Sequence, residues 1–244
     1  MAFDRASAPD APQTRAFVRD LFRGIAPVYD LGNRLLSWGR DRAWRRALVA
    51  DLPREGVLVD GGAGTCDVGL AYLARRDARG YVVCADVTRE LLVLGRAKLD
   101  RAGHAGRFAC VLCDASALPF RDASAVAVTS AFMLRHIAER GAFWRECARV
   151  LADGGRLALL EIAAPRSRVI AWAFDAYFAR IAPAVMRAVS RHDYGYAYLP
   201  ASLEGFPSPE RLAIECAAHP FDAPSARRFW PDASALVTAT RRAR

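Results

Sequence analysis

The 244-residue chain is poor in lysine: Lys98 is the only one, and every other strong base is an arginine. A formal net charge of +9 raises the prior for nucleic-acid or anionic-membrane partners. The arginines are scattered, however, with no run longer than the pairs at 45–46, 75–76, 227–228 and 241–242. No basic, aromatic-interleaved appendage accompanies them, which argues against an RNA-modifying protein and leads us to expect no nucleic-acid partner. Long uncharged apolar runs are also missing. The nearest to the ~20 residues of a membrane span is VIAWAFDAYFARIAPAVM, broken by Asp175 and Arg180. There is no internal repeat and no low-complexity block. The opening MAFDRASAPDAPQTR has an early acid and no apolar centre, so residues 1–14 are expected to be a disordered tail, not a signal peptide, and the protein cytoplasmic.

The six cysteines lie mostly inside apolar stretches, where a reduced thiol behaves as a small hydrophobe. Cys110 and Cys113 form a C-x-x-C, but within the apparent strand RFACVLCD residues three apart point to opposite faces. No second ligand pair stands at a useful spacing, so no metal is expected.

What is present is enough apolar residue, 53% of the chain, for one packed core. From residue 57 the runs VLVD, YVVCAD, FACVLCD, AVAVTSA and RLALLEIA alternate with helical segments, the pattern of a doubly wound, mostly parallel α/β sheet. Thr88 is placed to cap the helix RELLVLGRAKLDRAG, and the DGG at 153–155 to end the helix GAFWRECARVLA. Helical segments over 15–52 and 167–207 flank a core at 53–166 and are expected to converge as a lid above the strand ends. The remainder, 208–244, reads as a helix and two edge strands, interrupted by Pro220, Pro224 and Pro231.

The stretch VLVDGGAGTCDVGL runs from a strand through a glycine-rich loop into a helix. A dinucleotide loop would carry its third glycine at position 67, which is Asp67, a charge opposed to phosphate. A phosphate-free, positively charged cofactor, S-adenosylmethionine, suits Gly62 and Gly64 better. Three consecutive strands end in acids, Asp60, Asp86 and Asp114. Asp86 is placed to accept ribose hydroxyls and Asp114 the adenine amino group.

These motifs, with DASALPF and FWRECARVLADGGRLALLEIAAP, resemble class I S-adenosylmethionine-dependent methyltransferases, which implies a Rossmann-like, seven-stranded sheet. More narrowly, FRGIAPVYDLGNRLLSWGRDRAWRR, FMLRHI and DYGYAYLPASLEGFPSPERL resemble the menaquinone and ubiquinone biosynthesis C-methyltransferases. The resemblance places Asp60, Gly62 and Gly64 in the cofactor loop, Asp86 on the ribose, Asp114 and Ala115 at the adenine, Arg135 at the pocket, and Tyr29, Asp30 and Asn33 on the lid. Phe132, Tyr177 and Tyr196 join them as aromatic candidates on the substrate side. Cys66 stands where the family has glycine, and Met133 to His136 replace its G-L-R-N.

The resemblance implies transfer of a methyl group to a ring carbon of a reduced quinone, a demethylmenaquinol-like substrate. Such a reaction needs alignment, exclusion of water and removal of a phenolic proton. Arg135 is the candidate cation for the phenolate, and His136 the group of suitable pKa for the proton; His192 and Asp193 are weaker candidates. Trp172, Phe174, Tyr177 and Phe178, with Arg166, Arg168, Arg180 and Arg187, could form an apolar pocket with a basic rim, leaving room for peripheral contact with a membrane, and the assembly could be a homodimer. Phe17, Val18, Leu21, Phe22 and Ile25 read as lid core. The alternatives are a methyltransferase of this architecture working on another aromatic or lipid-like acceptor at oxygen or nitrogen, and a non-catalytic relative in which Cys66 fills the loop.

Overall fold

The computed structural model describes residues 11–181, 202–203 and 205–243. Seven strands form one sheet in the order β3-β2-β1-β4-β5-β7-β6. Strands β1 (Val57–Gly61), β2 (Tyr81–Asp86), β3 (Phe108–Leu112), β4 (Ala125–Ala131) and β5 (Leu151–Ile162) run parallel, while β7 (Ser234–Arg241) is antiparallel to both β5 and β6 (Phe221–Phe229). The five parallel strands are those expected from the apolar runs. Their parallel course requires crossovers, supplied by α4 (Asp67–Leu73), α5 (Arg89–Arg101) and α6 (Arg140–Val150). The three helices ahead of the sheet are α1 (Ala11–Ile25), α2 (Tyr29–Leu36) and α3 (Asp41–Val49); α7 (Arg168–Ala176) and α8 (Pro209–Ala217) follow β5.

Successive strand residues feed opposite layers. Val59 joins Phe143, Trp144 and Cys147 of α6 and Leu212 and Cys216 of α8. Its neighbour Leu58 joins Leu48 of α3, Val68 and Tyr72 of α4, and Leu92 and Leu99 of α5. The sheet is therefore covered on both faces, and Phe143 and Trp144, each 1% exposed, are the largest single contributors to one of them. Truncating either to alanine would cost about 3–5 kcal/mol. Cys110 and Cys113 fall in opposite layers, as their spacing predicts.

Three local expectations are corrected. Residues 11–14 are not tail but the first turn of α1, where Pro12 is tolerated because no N–H is needed there. The helix before β5 ends at Val150, not at the DGG: Leu151 is already extended, and Gly154, at φ +74, lies inside β5 where the pairing slips between Ala125 and Ala127. Thr88 precedes α5 as expected, but its side chain makes no capping hydrogen bond. The final strands do form despite Pro224, because β6 is the sheet edge and the proline sits at a register break between Asp222 and Ser225. Ahead of them Ser208 caps α8, its hydroxyl accepting the Arg211 N–H at 3.2 Å with Pro209 next in line.

The two helical flanks meet. Tyr177, in the π-type turn Tyr177–Ile181 that follows α7, donates its hydroxyl to the Leu36 carbonyl at the end of α2 at 3.3 Å, and its ring lies 6.1 Å from that of Trp38. No helix among the described residues is long and apolar enough to cross a membrane. Tyr196, His192, Asp193 and Arg187 lie outside the described residues.

Candidate functional site

An open cleft lies at the carboxyl ends of the parallel strands, roofed by Val18 and Phe22 of α1 and by Tyr29 of α2. Open α/β sheets bind ligands at this place, where strand order reverses outward from β1 to β2 and to β4.

The loop from 61 to 66 leaves β1 by way of two left-handed glycines, Gly62 at φ +67 and Gly64 at φ +52. Both line the cleft. A Cβ on Gly62 would overlap the Met133 side chain, and one on Gly64 would touch the ring of Tyr29 at 3.5 Å. The backbone is thus closely covered on its cleft side. Asp86, at the tip of β2, braces the loop: one carboxylate oxygen accepts the Gly64 N–H at 2.8 Å and the other the Thr88 N–H at 2.7 Å. Each oxygen keeps a lone pair for a hydroxyl donor. Burial raises the Asp86 pKa, and the N–H donors of Gly64 and Thr88 work against that rise. Asp114, after β3, accepts the Ser116 N–H at 2.7 Å and lines the same cleft beside Ala115 and Cys113.

Cys66 does not obstruct this space. Its residue is wholly buried, and its sulfur lies where a side chain on Gly95 of α5 would have to go, away from the cleft. What this position demands is conformation: Cys66 has φ +62, a left-handed backbone that costs a residue bearing a side chain about 1–2 kcal/mol. The neighbouring Cys110 thiol, and next burial, hold the Cys66 thiol above its ordinary range, against the opposing pull of the buried Cys84 thiol.

Other placements differ from expectation. Asp67 does not face the cleft; its carboxylate binds Lys98 at 2.5 Å and lies 3.7 Å from Arg45. The electrostatic argument against phosphate therefore cannot rest on that residue. It rests on the cleft lining, which contains Asp86, Asp114 and Glu139 and, among the described residues, no lysine or arginine. Asp60 stands beneath the loop instead of lining the cleft, one oxygen accepting the Thr129 hydroxyl at 2.8 Å and the other unpartnered. Desolvation pushes its pKa up to about 7.

Arg135, expected at the pocket, turns inward from the short turn Leu134–His136 and faces Glu161 of β5 at 3.6 Å, with both side chains almost wholly buried. Glu161 in turn accepts the Leu134 N–H at 2.7 Å. Burial raises the Glu161 carboxyl to about 7, against the pull of Arg135. His136 does line the cleft, 5.1 Å from the ring of Phe22, which also packs edge-on against Tyr29. Its pKa is not near neutrality as expected: burial, and next the Arg135 charge, drive it well below the usual histidine value, so the ring is neutral.

On the lid side, the Tyr29 hydroxyl is hydrogen-bonded to Asn33, and burial raises the phenol's pKa. Phe132, at φ +61, lines the cleft with the Arg45 guanidinium 5.7 Å from its ring. Asp30 and Tyr177 do not line it; both tie α2 to its neighbours. Among the described residues no cluster of histidine, cysteine, aspartate and glutamate could hold a metal ion.

Sequence reasoning missed Lys98, Thr65 and Glu161. The first two are joined to Asp30 only through the fold, and Glu161 was visible only as an acid within the otherwise apolar run RLALLEIA. Lys98 carried one signal, its being the sole lysine of the chain.

Residues 10–221 match the model of the ubiE/COQ5 methyltransferase family. The chain is 41% identical over 204 residues to a demethylmenaquinone methyltransferase of Thermus thermophilus, covering 82% of this chain and 91% of that relative. It is 37% identical over 197 residues to a ubiquinone/menaquinone biosynthesis C-methyltransferase of Geobacter sulfurreducens, covering 80% and 77%. Among solved structures it is similar in fold to a SAM-dependent methyltransferase of Aquifex aeolicus, with TM-score 0.61 and 14% identity over 86% of this chain and 97% of that one. The [4+2]-cyclase SpnF has the same fold at TM-score 0.64 and 15% identity, covering 96% and 98%. Reaction type therefore does not follow from the fold alone.

Proposed function

The chain belongs to the ubiE/COQ5 methyltransferase family, and from that premise we propose that it transfers a methyl group from S-adenosylmethionine to a ring carbon of a reduced, demethylmenaquinol-like quinone. The observation that carries the donor is the cleft lining itself: three carboxylates, two left-handed glycines and no lysine or arginine among the described residues. Such a lining repels phosphates and favours a ligand bearing sulfonium and ammonium charge. The acceptor rests on the kinship with demethylmenaquinone methyltransferases.

Asp86 would hold the ribose hydroxyls while keeping the loop braced through Gly64. Asp114 and Ala115 would border the adenine. The donor, once bound, supplies an activated methyl on sulfur. The chain's own contribution is to align the acceptor and exclude water, which Phe22, Tyr29 and Phe132 do by closing the cleft with aromatic surface. His136, held neutral by burial and the Arg135 charge, can accept a hydrogen bond from the acceptor's phenolic hydroxyl and so orient it as electron density moves to the ring carbon. Arg135 contributes its charge from behind the wall of the cleft, favouring the phenolate without touching it.

An isoprenoid acceptor has to be collected from a bilayer. The outer face of the lid, where Trp38 and Trp172 are 77% and 73% exposed near Arg40 and Arg168, suits interfacial contact with anionic lipid.

The test is transfer of tritium from labelled S-adenosylmethionine into demethylmenaquinol, set against a panel of soluble phenols. Equal labelling of the phenols would overturn the quinone assignment, and failure to bind S-adenosylhomocysteine would overturn the donor.

A further inference from the structure

Lys98 of α5 reaches three partners at once. Its ammonium lies 2.7 Å from Asp30 of α2, 2.5 Å from Asp67 at the start of α4, and 3.1 Å from the Thr65 hydroxyl in the loop. That hydroxyl closes the circuit by donating to the other oxygen of Asp30 at 2.5 Å. An exposed ion pair is worth little. This one differs in that Lys98 and Asp67 are about three-quarters covered, with Asp30 43% exposed, and in joining three separate pieces of chain, the lid helix, the glycine loop and a core helix.

We propose that Lys98 is a positioning residue, a latch that fixes α2 onto the loop so that Tyr29 covers Gly64. The inference rests on the donor reading given above and adds a residue to it. Asp30 immediately follows Tyr29, whose ring would lie 3.5 Å from a Cβ on Gly64. Fixing Asp30 therefore fixes the aromatic cover over the loop backbone. Charge explains why a cation is needed. Asp30 and Asp67 both approach the Lys98 ammonium, and Asp67 has Arg45 as a second counter-ion at 3.7 Å. Asp30 has only the Thr65 hydroxyl besides Lys98 among the described contacts. Without the ammonium, two carboxylates face each other across the joint and α2 is pushed from the loop.

The test compares Lys98→Met, Lys98→Arg, Asp30→Asn and the Met/Asn double variant. Two readouts are taken: hydrogen exchange of the α1–α2 amides without ligand, and calorimetric affinity for S-adenosylhomocysteine. Lys98→Met is expected to speed exchange in the lid while β4 and β5 keep their protection, and to weaken binding by about tenfold, within the usual range of coupling between sites. Lys98→Arg should restore most of both. The double variant, with the facing charge on α2 removed, should bind no more weakly than Lys98→Met. Unchanged lid exchange in Lys98→Met, or losses that multiply in the double variant, would overturn the latch. If the unaltered protein does not bind S-adenosylhomocysteine the donor reading fails, and lid exchange still decides the latch.

Discussion

The guanidinium of Arg135 and the carboxylate of Glu161 face one another at 3.6 Å inside the protein, with no hydrogen bond between them. Glu161 meanwhile holds the Leu134 N–H, so one side chain both balances the arginine and fixes the turn that presents Met133 and His136 to the cleft. Removing one member of a buried pair leaves the other's charge uncompensated, typically at about 3–5 kcal/mol. Arg135→Ala is accordingly expected to lower the melting temperature as well as turnover, with S-adenosylhomocysteine binding nearly retained. Calorimetric affinity that falls in step with activity would show that Arg135 shapes the donor site.

Asp86→Asn keeps the size of the side chain but replaces one of two acceptor oxygens with a donor, which then opposes either the Gly64 or the Thr88 N–H. Donor affinity should drop by about tenfold or more, given that a lost hydrogen bond to a charged group is worth about 1.5–3 kcal/mol. Isothermal calorimetry with S-adenosylhomocysteine measures it, and an unchanged affinity would remove Asp86 from the site.

Stability should depend on pH through Asp60. Its folded-state pKa is raised to about 7 from the ordinary 3.8, so the folded protein holds a proton that the unfolded chain has already released. The contribution is fully present below about pH 4 and is lost as pH rises towards 7. Asp60→Asn should flatten that slope in urea melts between pH 5 and pH 8. His136 has the opposite sign: its pKa is depressed, so its contribution is present above the unfolded histidine value of about 6.5 and lost as pH falls below it. His136→Asn should remove this acid-side loss and reduce turnover, with little change in donor affinity.

At position 66, Cys66→Gly relieves a left-handed side-chain conformation while giving up the buried contact of the sulfur with its neighbours. The two terms offset, and the expected change in unfolding free energy is within about 1 kcal/mol. Cys66→Val places a β-branched residue in the same conformation and should destabilise by about 2 kcal/mol or more. Urea melts of the pair distinguish strain from packing.

Much of this was legible in the sequence. The five apolar runs, the glycine loop and the acids at 86 and 114 are local signals, and each strand tip stands where alternation puts it. What local pattern could not give is direction of charge. Asp67 sits in the loop motif yet faces Lys98, thirty-one positions on. Arg135 sits in the pocket motif yet faces Glu161, and His136 beside it loses its ordinary basicity to burial. The DGG misled for a related reason: glycines that end helices and glycines that bulge a strand are the same residues, and only the pairing of β4 with β5 separates them.

A chain with a single ε-amino group offers a practical handle. Apart from its α-amino terminus, amine-selective reagents have one target, and that target is engaged in the contact between lid and loop. The rate at which an acylating probe modifies Lys98, followed by mass spectrometry of the intact protein, would report opening of the roof directly, without any engineered label.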